Sequence, residues 1–412
     1  MFSRFLTFFF LAVALAATGQ PQHFTLTEAT MKVTGNRAVL VSNQYGVLRY
    51  AKLLEKGSAV EGPLSFDVLP RLGEQLALTL VREIDGGGIF GFENTTYCNL
   101  ADGVVVDAPV VQEDKGEYRQ VEFSVIGVEG AEEVIVLSPL EDGVEYHVDR
   151  GRLALSFRAL TSADIYVLFK LKGHDGYLYY YSPMQPANRI ALDVKALKSG
   201  VLQQEIGLPT TQVWDGYIKA YRKGSDIPCY VYNSSQLRAI TPRNSIRAFL
   251  PPGQDWDHFD LVLTNLQSDK YGYYNRYQDS LPDALGTLDF DPLFTDHQSK
   301  AFRFKTTEKE AGQYYQATYT YSLRNQMPAR WQVFGQVGQP GEVDFFLPDL
   351  PETLLNILPE LHILPNPDAI TKAFLRCARC NDYTFQLAPA ALQQEEWRLK
   401  NGVVERGQWT EF

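Results

Sequence analysis

Cysteine and histidine are scarce in this chain, with four and six in 412 residues, and so are the arrangements of them that carry chemistry. His23, His147, His174, His258, His297 and His362 form no H-E-x-x-H pair. Neither a G-x-S-x-G nucleophile elbow nor a Walker loop occurs. The zinc-protease, α/β-hydrolase and P-loop mechanisms that need those spacings are thereby excluded. Basic residues are in deficit as well. Lys and Arg number 38 against 49 acidic residues, a formal net charge of −11, and no local basic cluster offsets it. That balance disfavours a phosphate-tracking surface, so nucleic acid is not an expected partner. After residue 17 there is no segment with the roughly 20 apolar residues a spanning helix needs.

One apolar run lies at the start. Met-Phe-Ser-Arg is followed by Phe5 to Ala17, apolar apart from Thr7, and then by Thr18-Gly19-Gln20-Pro21. This is the grammar of a cleavable secretory signal over residues 1–19, too short to be a membrane anchor. Ala14-Leu15-Ala16 and Ala17-Thr18-Gly19 both fit the small-x-small rule, so the mature chain is expected to begin at Ala17 or Gln20. The first cysteine is Cys98, so no lipid-acceptor cysteine stands at that new terminus. The expectation is an exported protein, periplasmic, secreted or cell-surface, with no transmembrane span after cleavage.

Period-two alternation recurs along the chain. Leu76, Leu78 and Leu80 share one face, as do Val121, Phe123 and Val125; Leu153, Leu155 and Phe157; Ile165, Val167, Phe169 and Leu171; and Ile190, Leu192 and Val194. Tyr315 to Tyr321 and Trp331 to Val337 repeat the pattern. Such alternation marks half-buried strands. Helical patterns are few: Pro351 to Leu358 and Ala388 to Trp397 each suit two turns, and Asp368 to Arg379 fits helix and strand alike. Trp397 to Lys400, Asn401-Gly402 and Val403 to Arg406 read as a hairpin. No strand alternates with a long amphipathic helix, which argues against a parallel α/β sheet. The expected class is mainly β, with several antiparallel β-sandwich domains in tandem and few short helices. At the level of class this resembles the immunoglobulin and fibronectin type III architectures. Linker composition places domains at 20–112, 113–205, 206–295 and 296–412, the last with Pro-rich connections.

Gly86 to Gly91 satisfies G-x-G-x-x-G but runs into Phe92-Glu-Asn-Thr-Thr-Tyr, a poor helix start, so it reads as a glycine-rich turn and no cofactor is expected. Cys98, Cys229, Cys377 and Cys380 are disulfide candidates in an exported chain, the last two as C-x-x-C. Asp255, Asp257 and Asp260, and Asp289 and Asp291, are weak calcium candidates, with turn-forming aspartates the blander account. His174 and Asp175 sit between Gly173 and Gly176 in a turn. The most suggestive feature is tyrosine: Tyr177, Tyr179 and Tyr181 alternate along one strand, and Tyr271, Tyr273, Tyr274 and Tyr277 follow in another. An exposed row of this kind stacks on sugar rings or grips an extended polymer, while core packing is the structural alternative. The expected function is non-catalytic binding or structural work at the cell envelope or outside the cell, with polysaccharide or another envelope protein as partner. The alternative is an extracellular polysaccharide-acting enzyme using a carboxylate pair or metal site. An outer-membrane barrel is disfavoured by short strands, by Thr410, and by the proline-dense 340–367 stretch.

Overall fold

The computed structural model describes residues 19–33, 35–54, 62–85, 90–106, 117–140, 144–183, 188–236, 241–265, 269–286, 292–298, 301–306, 314–322, 328–336, 341–364, 370–379, 395–400 and 402–411. The protein is mainly β, with 62% strand against 9% helix, in several separate antiparallel-rich sheets. Among the described residues no helix is long and apolar enough to cross a membrane. Residues 1–18 of the expected signal lie outside the described residues. The chain divides into two compact units: the first is Met1–Val111 with Leu288–Arg398 and Glu405–Phe412, the second Gln112–Thr287 with Leu399–Val404.

In the second unit the alternating sets become one core. Tyr118–Ile126 pairs with Arg152–Leu160, which pairs with Glu145–Asp149, while Arg189–Asp193 adds to Tyr118–Ile126 in parallel. Facing this sheet is a second, with Ile165–Leu171 between Ala131–Val136 and Leu178–Ser182. Val121, Phe123, Val125, Leu153, Leu155, Phe157, Ile165, Val167 and Phe169 all meet between them, none more than 3% exposed. Burial of that apolar area is the main stabilising term of the sandwich. Farther along, Trp214–Arg222 lies between Pro228–Asn233 and Trp256–Asn265, and Asp269–Tyr277 extends the sheet. Leu202–Gln212 and Arg243–Leu250 form a separate antiparallel pair.

In the first unit the N- and C-terminal halves of the chain interleave. Strands run in the order Ile370–Arg379, Tyr314–Ser322, Pro328–Gln336, Phe90–Tyr97, Leu76–Asp85, Asn36–Asn43 and Leu48–Leu53. The junction between the halves is a parallel pairing of Phe90–Tyr97 with Pro328–Gln336, and Trp331 Nε1 donates to Thr96 Oγ1 at 2.9 Å there. Gln22–Leu26 pairs antiparallel with Leu64–Val68 and parallel with Val104–Val106 over a core of Phe24, Leu26, Val41, Leu78 and Phe334.

The tail differs from the hairpin expected of it. Glu395–Lys400 is a helix, and Gly402 at φ 58° turns it into the strand Val403–Glu411. Arg398 and Lys400 stand in its last turn, where a helix dipole favours positive charge. Glu352–Ile357 is the helix expected near Pro351, and Asp368 to Arg379 resolves as the strand Ile370–Arg379. The glycine-rich stretch joins Leu76–Asp85 to Phe90–Tyr97 as an antiparallel hairpin, with residues 86–89 outside the described set.

Candidate binding site

A cleft of about 190 Å³ opens within the second unit where two strand faces meet. On Ala131–Val136, Val134 and Val136 point into the sandwich core, so by alternation Glu133, Ile135 and Leu137 face the other way. Opposite them Arg243, Ser245, Arg247 and Phe249 share one face of Arg243–Leu250, and Glu205 stands across from Arg247 in the paired strand. Tyr232 and Asn233, at the end of Pro228–Asn233, complete the lining with Ile246 and Tyr177.

Polar groups in the cleft are partly satisfied by one another. The Tyr177 hydroxyl donates to Glu133 Oε2 at 2.6 Å, and its ring stands edge-on to Phe249 with centroids 5.1 Å apart. Burial first, and Glu133 next, push the Tyr177 hydroxyl well above the ordinary tyrosine range, so it remains a donor at any physiological pH. The Ser245 hydroxyl donates to Glu205, and Arg247 Nη1 donates to Gln203 Oε1 at 3.3 Å. Tyr232 is the exception. It is 3% exposed, its hydroxyl has no hydrogen-bond partner, and burial pushes its pKa up to about 12 against the pull of Arg243. An unmet buried hydroxyl costs about 1–3 kcal/mol, which singles this residue out beside a cavity. Two carboxylates, two guanidiniums, two phenols and an amide thus ring an apolar floor.

Of the sequence-predicted tyrosines, Tyr177 lines this cleft, and Tyr179, Tyr181 and Tyr273 are packed against neighbours. Tyr179 is 4% exposed and edge-on to Tyr166; Tyr181 also meets Tyr166 and donates to Asp164 Oδ2 at 2.7 Å. Asp164, fully buried, has Arg222 Nη2 at 3.5 Å, so this tyrosine face closes over an internal ion pair. Tyr180, on the opposite face, meets Phe123 in the sandwich core. Beyond Tyr177 the row is therefore packed rather than displayed, Tyr179 fully and Tyr181 in part. Tyr273 is 3% exposed, lies tilted against Trp214 and donates to Gly286 O at 2.6 Å; Tyr274 is half-buried, and the Tyr271 side chain lies outside the described residues.

The acidic candidates do not gather. Asp260 is held by Arg276 through Nε at 2.7 Å and Nη2 at 2.8 Å, Asp257 meets His258 Nδ1 at 2.8 Å, and Asp255 meets Lys223 at 3.1 Å. His258 lies between Asp257 and Asp260, its Nε2 4.0 Å from Asp260 Oδ1, and the pairing register shifts beside Asp257, which is exposed while Asp260 is buried. Asp289 and Asp291 lie outside the described residues. Among the described residues no three metal-ligating side chains cluster. Cys98, Cys229 and Cys377 are buried thiols and no disulfide occurs among the described residues; Cys380 lies outside them. Burial pushes the Cys98 thiol up to about 12 and that of Cys229 well above its ordinary value, which makes both poor nucleophiles. His174 and Asp175 are exposed in a turn.

Sequence reasoning missed Glu133, Glu205, Tyr232, Arg243 and Arg247. The alternation of Arg243, Ser245, Arg247 and Phe249 was the available signal, since it puts polar groups and an aromatic on one strand face. A larger trough of about 400 Å³ crosses the sandwich sheet beside Glu122, Ser124, His147 and Arg189. Its aromatic and aliphatic lining, Phe123, Leu155 and Ile190, belongs to the core beneath, leaving solvated charges to meet a ligand. No protein-family model matches the chain, and no curated protein matches it.

Proposed function

We propose that this is an exported, non-catalytic β-sandwich protein of the cell envelope or extracellular space, and that its cleft at Tyr177 binds one uncharged sugar ring of a glycan. The observation that carries this is the pairing of an aromatic wall with a hydrogen-bonding rim balanced in charge. Tyr177 and Phe249 supply apolar ring area, while Glu133 and Glu205 are offset by Arg243 and Arg247. Sugars need both, an apolar ring face and a belt of hydroxyls that donate and accept. The volume supports a small occupant. About 190 Å³ is below the roughly 300–1,000 Å³ of pockets that enclose drug-sized ligands. Binding fits the lining, in which Glu133 accepts from the Tyr177 hydroxyl and Glu205 from the Ser245 hydroxyl, so both carboxylates are already held as acceptors in the rim.

A panel of neutral and acidic polysaccharides, tested by affinity electrophoresis or calorimetry, decides the matter. The expected result is binding to a neutral glycan that falls at least about tenfold in Tyr177→Ala, the scale of one lost aromatic contact with its hydrogen bond. Tyr177→Phe keeps the ring against Phe249 and should retain part of the affinity. Glycan binding unchanged in both variants, or none at all, sinks the proposal; release of reducing ends would replace it with the enzyme reading.

A further inference from the structure

Tyr232 reaches the cleft through an irregularity in its strand. Tyr230 stands opposite Lys219 and Tyr232 opposite Ile218 of Trp214–Arg222, so Val231 is an extra residue in the pairing. Successive residues 218 and 219 point to opposite faces, and the bulge therefore sends Tyr230 and Tyr232, two apart in sequence, to different sides. The contacts agree. Tyr230 packs by Tyr217 with ring centroids 5.7 Å apart and has Lys219 Nζ 5.7 Å from its ring centre, while Tyr232 lines the cleft. A bulge re-aims a side chain, and the group it delivers here is a hydroxyl that has no hydrogen-bond partner in the fold.

Its surroundings restrict what can answer that hydroxyl. Tyr232 shares the cleft with Ile135, Leu137 and Ile246, all buried. A phenol offers one proton. Burial holds that proton in place, with Arg243 and then Asp215 acting on it in opposite directions, so the local charge is balanced and suits an uncharged acceptor. A sugar hydroxyl accepts but brings a proton of its own, which an apolar floor cannot receive. An acetamido group brings a carbonyl oxygen, which only accepts, and a methyl group, which suits Ile135, Leu137 and Ile246. Its one N–H has acceptors in the rim, at Glu133, Glu205 and the Asn233 side chain.

We propose that the cleft selects an N-acetylated sugar, the Tyr232 hydroxyl donating to the acetamido carbonyl oxygen and the methyl group lying on Ile135, Leu137 and Ile246, an inference that rests on the glycan reading of this cleft. Calorimetry of the chain beginning at Gln20 tests it, with oligomers of N-acetylglucosamine and of N-acetylgalactosamine each beside the oligomer of its plain hexose. The expected result is that an N-acetylated oligomer binds at least about tenfold more tightly than its plain counterpart, and that Tyr232→Phe brings the two within about threefold. The same variant should keep the urea midpoint of the unsubstituted chain or raise it, because a hydroxyl unpaired in the fold contributes nothing to folding. Weaker binding without weaker folding separates a hydroxyl that reads a ligand from a structural one. A lowered midpoint overturns the proposal, as does an acetamido preference that survives in Tyr232→Phe, or tighter binding of a uronic acid polymer. Equal binding of N-acetylated and plain oligomers that still falls in Tyr177→Ala overturns it too and leaves the glycan cleft standing. Binding to no glycan removes both.

Discussion

At the scale of single residues, environment decides what a side chain does. Glu74 illustrates it. Burial alone would raise its carboxyl, but Arg49, the Arg71 amide and Asn43 outweigh burial and hold it at about 2, against an ordinary 4.5. Because the folded-state value is the lower one, the contribution is fully present above about pH 4.5 and disappears as pH falls through about 2. With allowance for solvent at the edge of the turn, it amounts to roughly 1 kcal/mol. Urea unfolding of Glu74→Gln beside the parent chain checks this: the parent should be more stable at pH 6, and the gap should close by pH 2. A gap independent of pH would contradict it. The tyrosines teach the same lesson. Tyr177, Tyr179 and Tyr181 have one spacing and one residue type, yet one lines a cleft, one is shut in, and one serves the buried Asp164.

At the scale of elements, alternation was legible and its exceptions were not. The inward sets at 121–125, 153–157 and 165–171 could be read directly because each strand buries one face. The tail was misread because Trp397 to Lys400 is too short for period to separate helix from strand. Gly216 was equally silent. In Trp214–Arg222 it adopts φ 141°, and a Cβ there would meet Val262 O at 2.0 Å in the paired strand. Its amide donates to Ser234 Oγ at 2.8 Å, and the Ser234 hydroxyl donates to Asp215. Gly216→Ala is expected to cost about 3 kcal/mol through backbone strain and a displaced strand. A loss under about 1 kcal/mol in urea unfolding would show that the close approach is absent.

At the scale of the whole molecule, the second unit is a nearly continuous piece of chain and the first is assembled from distant ones. Residues 112–287 carry their own sandwich core, so expressed alone they should unfold cooperatively in urea. Residues 20–111 alone should not, because Phe90–Tyr97 loses its parallel partner Pro328–Gln336 and Thr96 loses the Trp331 indole. Circular dichroism along a urea series separates the outcomes, and a sharp transition for 20–111 would refute the dependence.

By itself the sequence determined that this protein is built of strands, because a period of two is imposed by local backbone geometry and needs no partner to be visible. Tertiary structure alone decided which face of each strand is core and which is cleft. It also decided that Thr96 meets Trp331 and that Glu133 faces Arg243, Ser245 and Arg247. Alternation announces two faces without saying what will cover either, and pairing between distant segments leaves no mark in the residues next to it.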